Sequence, residues 1–168
     1  MGQVVTREAL AEAVAAARQA GRRVVLTNGV FDLLHVGHAR LLAECRARGD
    51  LVVVGVNSDA SVRALGKGPD RPLVPEADRA ELVAALGAVD LVTIFGDVTA
   101  HDLVALVRPD VYVKGGDYRP DDTPDDDARP VLPEAPLVRE FGGTVVLIPV
   151  ASGRSTTALA RKIAGGSG

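Results

Sequence analysis

The sequence predicts an α/β domain built on one doubly wound parallel sheet. Two observations carry that expectation. Short apolar runs of strand length recur at Arg22–Leu26, Leu51–Val56, Leu91–Phe95, Val111–Lys114 and Thr144–Pro149, and segments with helical periodicity lie between them. Within the runs the apolar residues are mostly consecutive, as in LVVVGV at 51–56, which is how a strand covered on both faces reads. Five such strands separated by helices specify a parallel sheet with right-handed crossovers.

The elements follow in order. Arg7–Ala20 reads as a helix, with Thr6 as N-cap, Leu10, Val14 and Ala17 on one face, and Gly21 as the stop. The first strand, Arg22–Leu26, is ended by Thr27-Asn28-Gly29, and a helix runs over Val36–Arg48 to Gly49. After the second strand, Asn57-Ser58-Asp59 caps a short helix reaching about Leu65. Two glycines and two prolines make Gly66–Val74 irregular; Pro75 then opens a helix that carries Arg79 and ends at Gly87. Thr99-Ala100-His101-Asp102 has the pattern of a capping box for a helix ending before Pro109. Gly115–Pro136 contains the acidic, proline-rich DDTPDDDARPVLPEAP, which reads as solvated surface. A short helix over Glu134–Phe141, the fifth strand, a last helix over Ser155–Ala164 and a glycine-rich tail complete the chain. The organisation expected is a flanking helix at 1–21, one domain at 22–164 and a tail at 165–168.

Composition sets limits. Of 168 residues 47% are apolar but only 3% aromatic, so the core must be built from Ala, Val and Leu. A formal net charge of −3 argues against a general nucleic-acid binder. No apolar run approaches the ~20 residues that cross a bilayer, and no signal-peptide core opens the chain. The lone Cys45 excludes an internal disulfide, and a cytoplasmic protein is expected.

The chemistry concentrates in Arg22–His38. His35 and His38 stand three residues apart at a helix start, just beyond a strand and turn. Gly37 between them lets a ligand approach the backbone. A helix N-terminus offers unpaired N–H groups and positive potential to a phosphate. On spacing alone the phosphate-site reading is favoured over the alternative, in which one histidine caps the helix while the other packs. Two more marked segments, Lys114-Gly115-Gly116-Asp117-Tyr118 and Arg154-Ser155-Thr156-Thr157, follow later strands and open onto the same sheet edge. A lysine rarely ends a buried strand without a partner, which favours a functional Lys114.

Thr27–His38, read with Val56-Asn57-Ser58-Asp59, KGGDY at 114–118 and RSTT at 154–157, resembles the cytidylyltransferase-like nucleotidyltransferases with their HxGH box. The set is most similar to the heptose 1-phosphate adenylyltransferases and spans about Val24 to Ile163. The resemblance implies a Rossmann-like sheet of order 3-2-1-4-5 and transfer of AMP from ATP to a heptose 1-phosphate. It implies catalytic roles for His35, His38, Lys114 and Arg154. Asn28, Gly29, Val30, Phe31, Gly37, Arg79, Ser155, Thr156 and Thr157 would contact the nucleotide. Asp32, Asn57, Lys67, Gly115, Gly116, Asp117 and Tyr118 would contact the sugar phosphate. Mg²⁺ would be carried by the nucleotide phosphates rather than by protein ligands. A separate sugar kinase would supply the acceptor, and the enzyme would be a homodimer without nucleic-acid or membrane partners. A glycerol 3-phosphate cytidylyltransferase and a non-catalytic nucleotide sensor are the competing readings, and KGGDY weighs against the first.

No general base is required for this chemistry, because the attacking phosphate oxygen is ionised at neutral pH. The protein must align two polyanions and neutralise charge developing around the α-phosphorus.

Overall fold

The valine-rich runs form the centre of a parallel sheet in a computed structural model that describes residues 1–66, 71–116, 118–119 and 129–149. The described strands are β1 (Gln3–Val4), β2 (Val24–Gly29), β3 (Leu51–Asn57), β4 (Leu91–Phe95), β5 (Val111–Gly115) and β6 (Thr144–Ile148). They lie in the order β1-β4-β3-β2-β5-β6, and every neighbouring pair is parallel. The five expected strands are β2 to β6, in the expected order 3-2-1-4-5.

The sixth strand corrects the strand count. Gln3 and Val4 are both exposed, so they carry no apolar pattern. Backbone pairing with Leu91 and Val92 holds them, and Gln3 N–H donates to the Asp90 carbonyl at 2.9 Å. Gly2 makes the close approach possible, since a Cβ there would sit 2.7 Å from the Val89 carbonyl oxygen.

Side chains alternate between two cores. On one face Val24, Leu26, Val53 and Tyr112 pack under α1 (Arg7–Gln19), α5 (His101–Val107) and α6 (Ala135–Glu140). On the other, Val25, Val52, Val54, Val111 and Val113 pack under α2 (Val36–Arg46) and α4 (Glu76–Ala84). The remaining short helix, α3 (Asp59–Ala64), starts at Ser58, whose Oγ accepts the Ser61 N–H at 3.1 Å. Thr6 caps α1 as expected.

Two local expectations are corrected. The polar triplet Thr27-Asn28-Gly29 is the last half of β2 rather than a turn, paired with Val54, Gly55 and Val56. Gly55 makes room for it, since its missing side chain would collide with Leu103 and crowd Asn28. The capping box at Thr99 does not form: α5 starts at Ala100 with no side-chain cap. Buried Glu134 takes the Ala100 N–H at 2.8 Å, and Thr99 Oγ1 pairs with His101 Nδ1.

β2 and β5 are the neighbours at which strand order reverses, so the carboxyl ends of these two strands flank the crevice where such sheets take ligands. No helix among the described residues is long and apolar enough to cross a membrane.

Candidate active site

β2 delivers Asn28 and Gly29 to the sheet edge, and the chain then turns sharply through Val30, Phe31 and Asp32. Phe31 adopts a left-handed backbone (φ 51°), a strained state for a bulky residue. Its ring is 2% exposed and lies over Gly29, where a Cβ would come within 3.2 Å of it. Burial of the ring thus holds the turn that aims the next helix.

That helix, α2, begins on the histidine pair. Gly37 N–H donates to His35 Nδ1 at 3.1 Å, and His35 N–H donates to His38 Nδ1 at 3.4 Å. The rings stack with centroids 3.9 Å apart, and the His38 ring lies 5.0 Å from that of Phe31. Both rings therefore meet the capping reading of the pair, and they stack on each other as well. Each imidazole caps the helix with Nδ1, so in the neutral ring the proton sits on Nε2. Neither Nε2 is hydrogen-bonded among the described residues, which leaves two N–H donors at one helix start. Desolvation holds the His35 pKa below its usual value, and desolvation and the neighbouring His35 push His38 down to about 4. Both shifts favour the neutral ring, in which Nε2–H is the donor each histidine can offer.

On the β5 side, Lys114 Nζ donates to Asn28 Oδ1 at 2.8 Å and to the Asn28 carbonyl at 3.3 Å. The ammonium also lies 5.9 Å from the centre of the Tyr118 ring. A Cβ at Gly115 would meet Leu41 of α2 at 3.4 Å, an ordinary packing contact. Gly116 (φ 147°) is conformationally required, because a Cβ would meet the Tyr118 ring at 2.6 Å. Asn28, Gly29, Val30, Phe31, His35, Gly37, His38, Lys114, Gly115, Gly116 and Tyr118 are thus joined by direct contacts or chain continuity around the ends of β2 and β5.

Two charged candidates lie beneath this surface. Arg79 is fully buried. Its Nε donates to the Val74 carbonyl at 2.8 Å, and its two terminal nitrogens to the Val30 carbonyl at 2.5 Å and to Asp59 Oδ1 at 2.7 Å. Asp32 is 4% exposed and accepts from Arg71 at 2.5 Å and from the N–H groups of Leu73 and Val74 at 2.8 and 3.0 Å. Both side chains tie the 30–32 turn to the 71–75 segment. Sequence could not separate this from ligand contact, because a charge next to a phosphate motif looks the same in either role. Asn57, on neighbouring β3, is buried and donates to Ser61 Oγ at 3.2 Å. Lys67, Asp117, Arg154, Ser155, Thr156 and Thr157 lie outside the described residues. No cluster of three or more His, Cys, Asp or Glu capable of holding a metal occurs among the described residues.

A turn after the first core strand, two Nε2 donors at the next helix start and a lysine at the switch point thus meet at the strand ends where sheets of this kind take ligands. Residues 26–161 match the cytidylyltransferase-like family, and the chain belongs to that family. Its relatives include the D-beta-D-heptose 1-phosphate adenylyltransferase of Bordetella bronchiseptica, 50% identical over 161 residues that cover 96% of this chain and 93% of that one. The bifunctional protein HldE of Trichlorobacter lovleyi is 46% identical over 96% of this chain, which spans 31% of that protein's length. Among solved structures, the lipopolysaccharide core biosynthesis protein of Thermoplasma volcanium superposes with a TM-score of 0.58 at 30% identity, over 78% of this chain and 98% of that one. Pantoate-beta-alanine ligase of Francisella tularensis shares the fold alone, with a TM-score of 0.61 at 13% identity, over 89% of this chain and 67% of that one.

Proposed function

We propose that this protein transfers AMP from ATP to a heptose 1-phosphate, giving ADP-heptose and pyrophosphate. The observation that carries the transfer chemistry is the paired-histidine helix start, with both Nδ1 atoms engaged by backbone and both Nε2–H groups left as donors. The choice of acceptor rests on the relative named for heptose 1-phosphate, which the chain matches over nearly its whole length.

In this reading a sugar-phosphate oxygen bonds to the α-phosphorus, and the bond from that phosphorus to the bridging oxygen breaks. The electron pair leaves on pyrophosphate. His35 and His38 donate to triphosphate oxygens as charge builds on them, and Lys114, held by Asn28, adds positive charge across the crevice. Arg154, Ser155, Thr156 and Thr157 are proposed to bind the β- and γ-phosphates, with Lys67, Asp117 and Tyr118 toward the sugar phosphate. Mg²⁺ bound to the nucleotide would offset phosphate charge. We further propose a cytoplasmic homodimer supplied by a separate sugar kinase.

The test is pyrophosphate release by the purified chain with ATP or CTP, each paired with heptose 1-phosphate or glycerol 3-phosphate. Turnover with ATP and heptose 1-phosphate is expected. Turnover confined to CTP and glycerol 3-phosphate, or nucleotide binding without turnover on any pair, would overturn the proposal.

A further inference from the structure

We propose that Tyr112 is a positioning residue for the transfer reaction, its buried hydroxyl fixing the Asn28 carboxamide and, through it, the Lys114 ammonium. The proposal rests on the transfer reading above.

The strand register places the three groups together. Leu26 on β2 is level with Tyr112 on β5, so two residues further along each strand Asn28 and Lys114 project from the same face. Tyr112 is fully buried among apolar side chains such as Leu26, Phe95 and Leu103. Phenylalanine would fill that space, so the hydroxyl is the feature packing does not account for. Its Oη donates to Asn28 Oδ1 at 2.5 Å, the same oxygen that accepts from Lys114 Nζ at 2.8 Å.

The donor and acceptor inventory makes this arrangement directional. An ammonium has donors only, so Lys114 requires the carboxamide oxygen to face it. Tyr112, reaching the same oxygen, must then donate. Desolvation, with Glu134 and Tyr118 nearby, raises its pKa well above the usual value, so the proton stays on throughout the working range. Two donors converging on Oδ1 turn Nδ2 the other way, and Nδ2 has no partner among the described residues. The amide therefore presents N–H₂ at the end of β2, beside Gly29. Without the hydroxyl one of the two described donors to Oδ1 is gone, and the amide that meets Lys114 is less firmly oriented.

The experiment compares the full chain with Tyr112→Phe, Lys114→Met and the double variant, using pyrophosphate release and a ¹⁵N NMR spectrum of side-chain amides. Tyr112→Phe is expected to lower kcat/KM about 10-fold, the scale of one lost buried hydrogen bond, and to shift the Asn28 Nδ2 resonance. In the Lys114→Met background the same change should cost less than about 2-fold, because the group being positioned is gone. A merely structural tyrosine would cost the same factor in both backgrounds. That result, wild-type activity in Tyr112→Phe or an unmoved Asn28 resonance would overturn the proposal. If the wild-type chain turns over no substrate pair, it is the transfer reading that fails and with it the catalytic purpose assigned here. The amide resonance then still reports whether Tyr112 holds Asn28.

Discussion

The polar groups around the end of β2 fall into two sets that differ in what their donors and acceptors face. His35 and His38 each give one ring nitrogen to the backbone and leave the other without a hydrogen-bond partner among the described residues. Arg79 and Asp32, which fasten the turn before α2, bond to the protein itself: the guanidinium to Val30, Val74 and Asp59, and the carboxylate to Arg71, Leu73 and Val74. A transition-state donor works only if it need not reorganise. The histidines can be partly open because the turn that carries them is fastened from below.

The difference is sharpest if Arg79 is removed. Arg79→Met should lower unfolding free energy by about 3 kcal/mol, since it leaves the Asp59 carboxylate and two carbonyls without their partner. Denaturant unfolding would register the loss, and lysine should not restore it, because one ammonium cannot span three acceptors. An Arg79 variant with unchanged stability and a raised KM for ATP would instead assign this residue to the ligand. His38→Ala should do the opposite, lowering kcat by ~10² to 10³ with a circular dichroism spectrum like wild type. Near-wild-type turnover would remove His38 from the reaction. Between these, Asp32→Asn should cost roughly 1–3 kcal/mol, because the amide keeps the shape but loses the charge facing Arg71, whose pair with Asp32 is well shielded. Its stability loss should exceed any change in kcat; the reverse ratio would place Asp32 against substrate.

Sequence disclosed the framework better than these assignments. The five core strands and their order were legible because buried parallel strands need uninterrupted apolar runs, as Leu51–Val56 shows. β1 was not, because its two exposed residues are held by backbone alone. The end of β2 was misread as a turn because Thr27 and Asn28 are polar yet buried; Tyr112 and Lys114 meet the cost for Asn28, while Thr27 Oγ1 has no hydrogen-bond partner among the described residues. The histidine pair and Lys114 could be singled out by spacing and strand-end position, and the fold brings them to the carboxyl ends of the neighbouring strands β2 and β5. Tyr112 was not, although its i, i+2 spacing to Lys114 on a strand was a usable signal that both share a face.

The mildest prediction tests the open side of the comparison by titration. His38 has a folded pKa of about 4 against an ordinary value of 6.5, and His35 is shifted in the same direction. The unfolded chain therefore binds these protons first as pH falls. Stability from this source is complete above about pH 6.5 and declines as pH drops from there toward 4. His38→Gln should flatten that part of the stability-versus-pH curve relative to wild type, and an NMR titration of the imidazole Cε1–H should put the His38 midpoint well below the ordinary imidazole value of 6.5. A midpoint near 6.5 would mean that the ring is solvated rather than desolvated against Phe31 and His35. The pair would then meet a triphosphate partly as cations, and their contribution would fall steeply through neutral pH instead of staying constant across it.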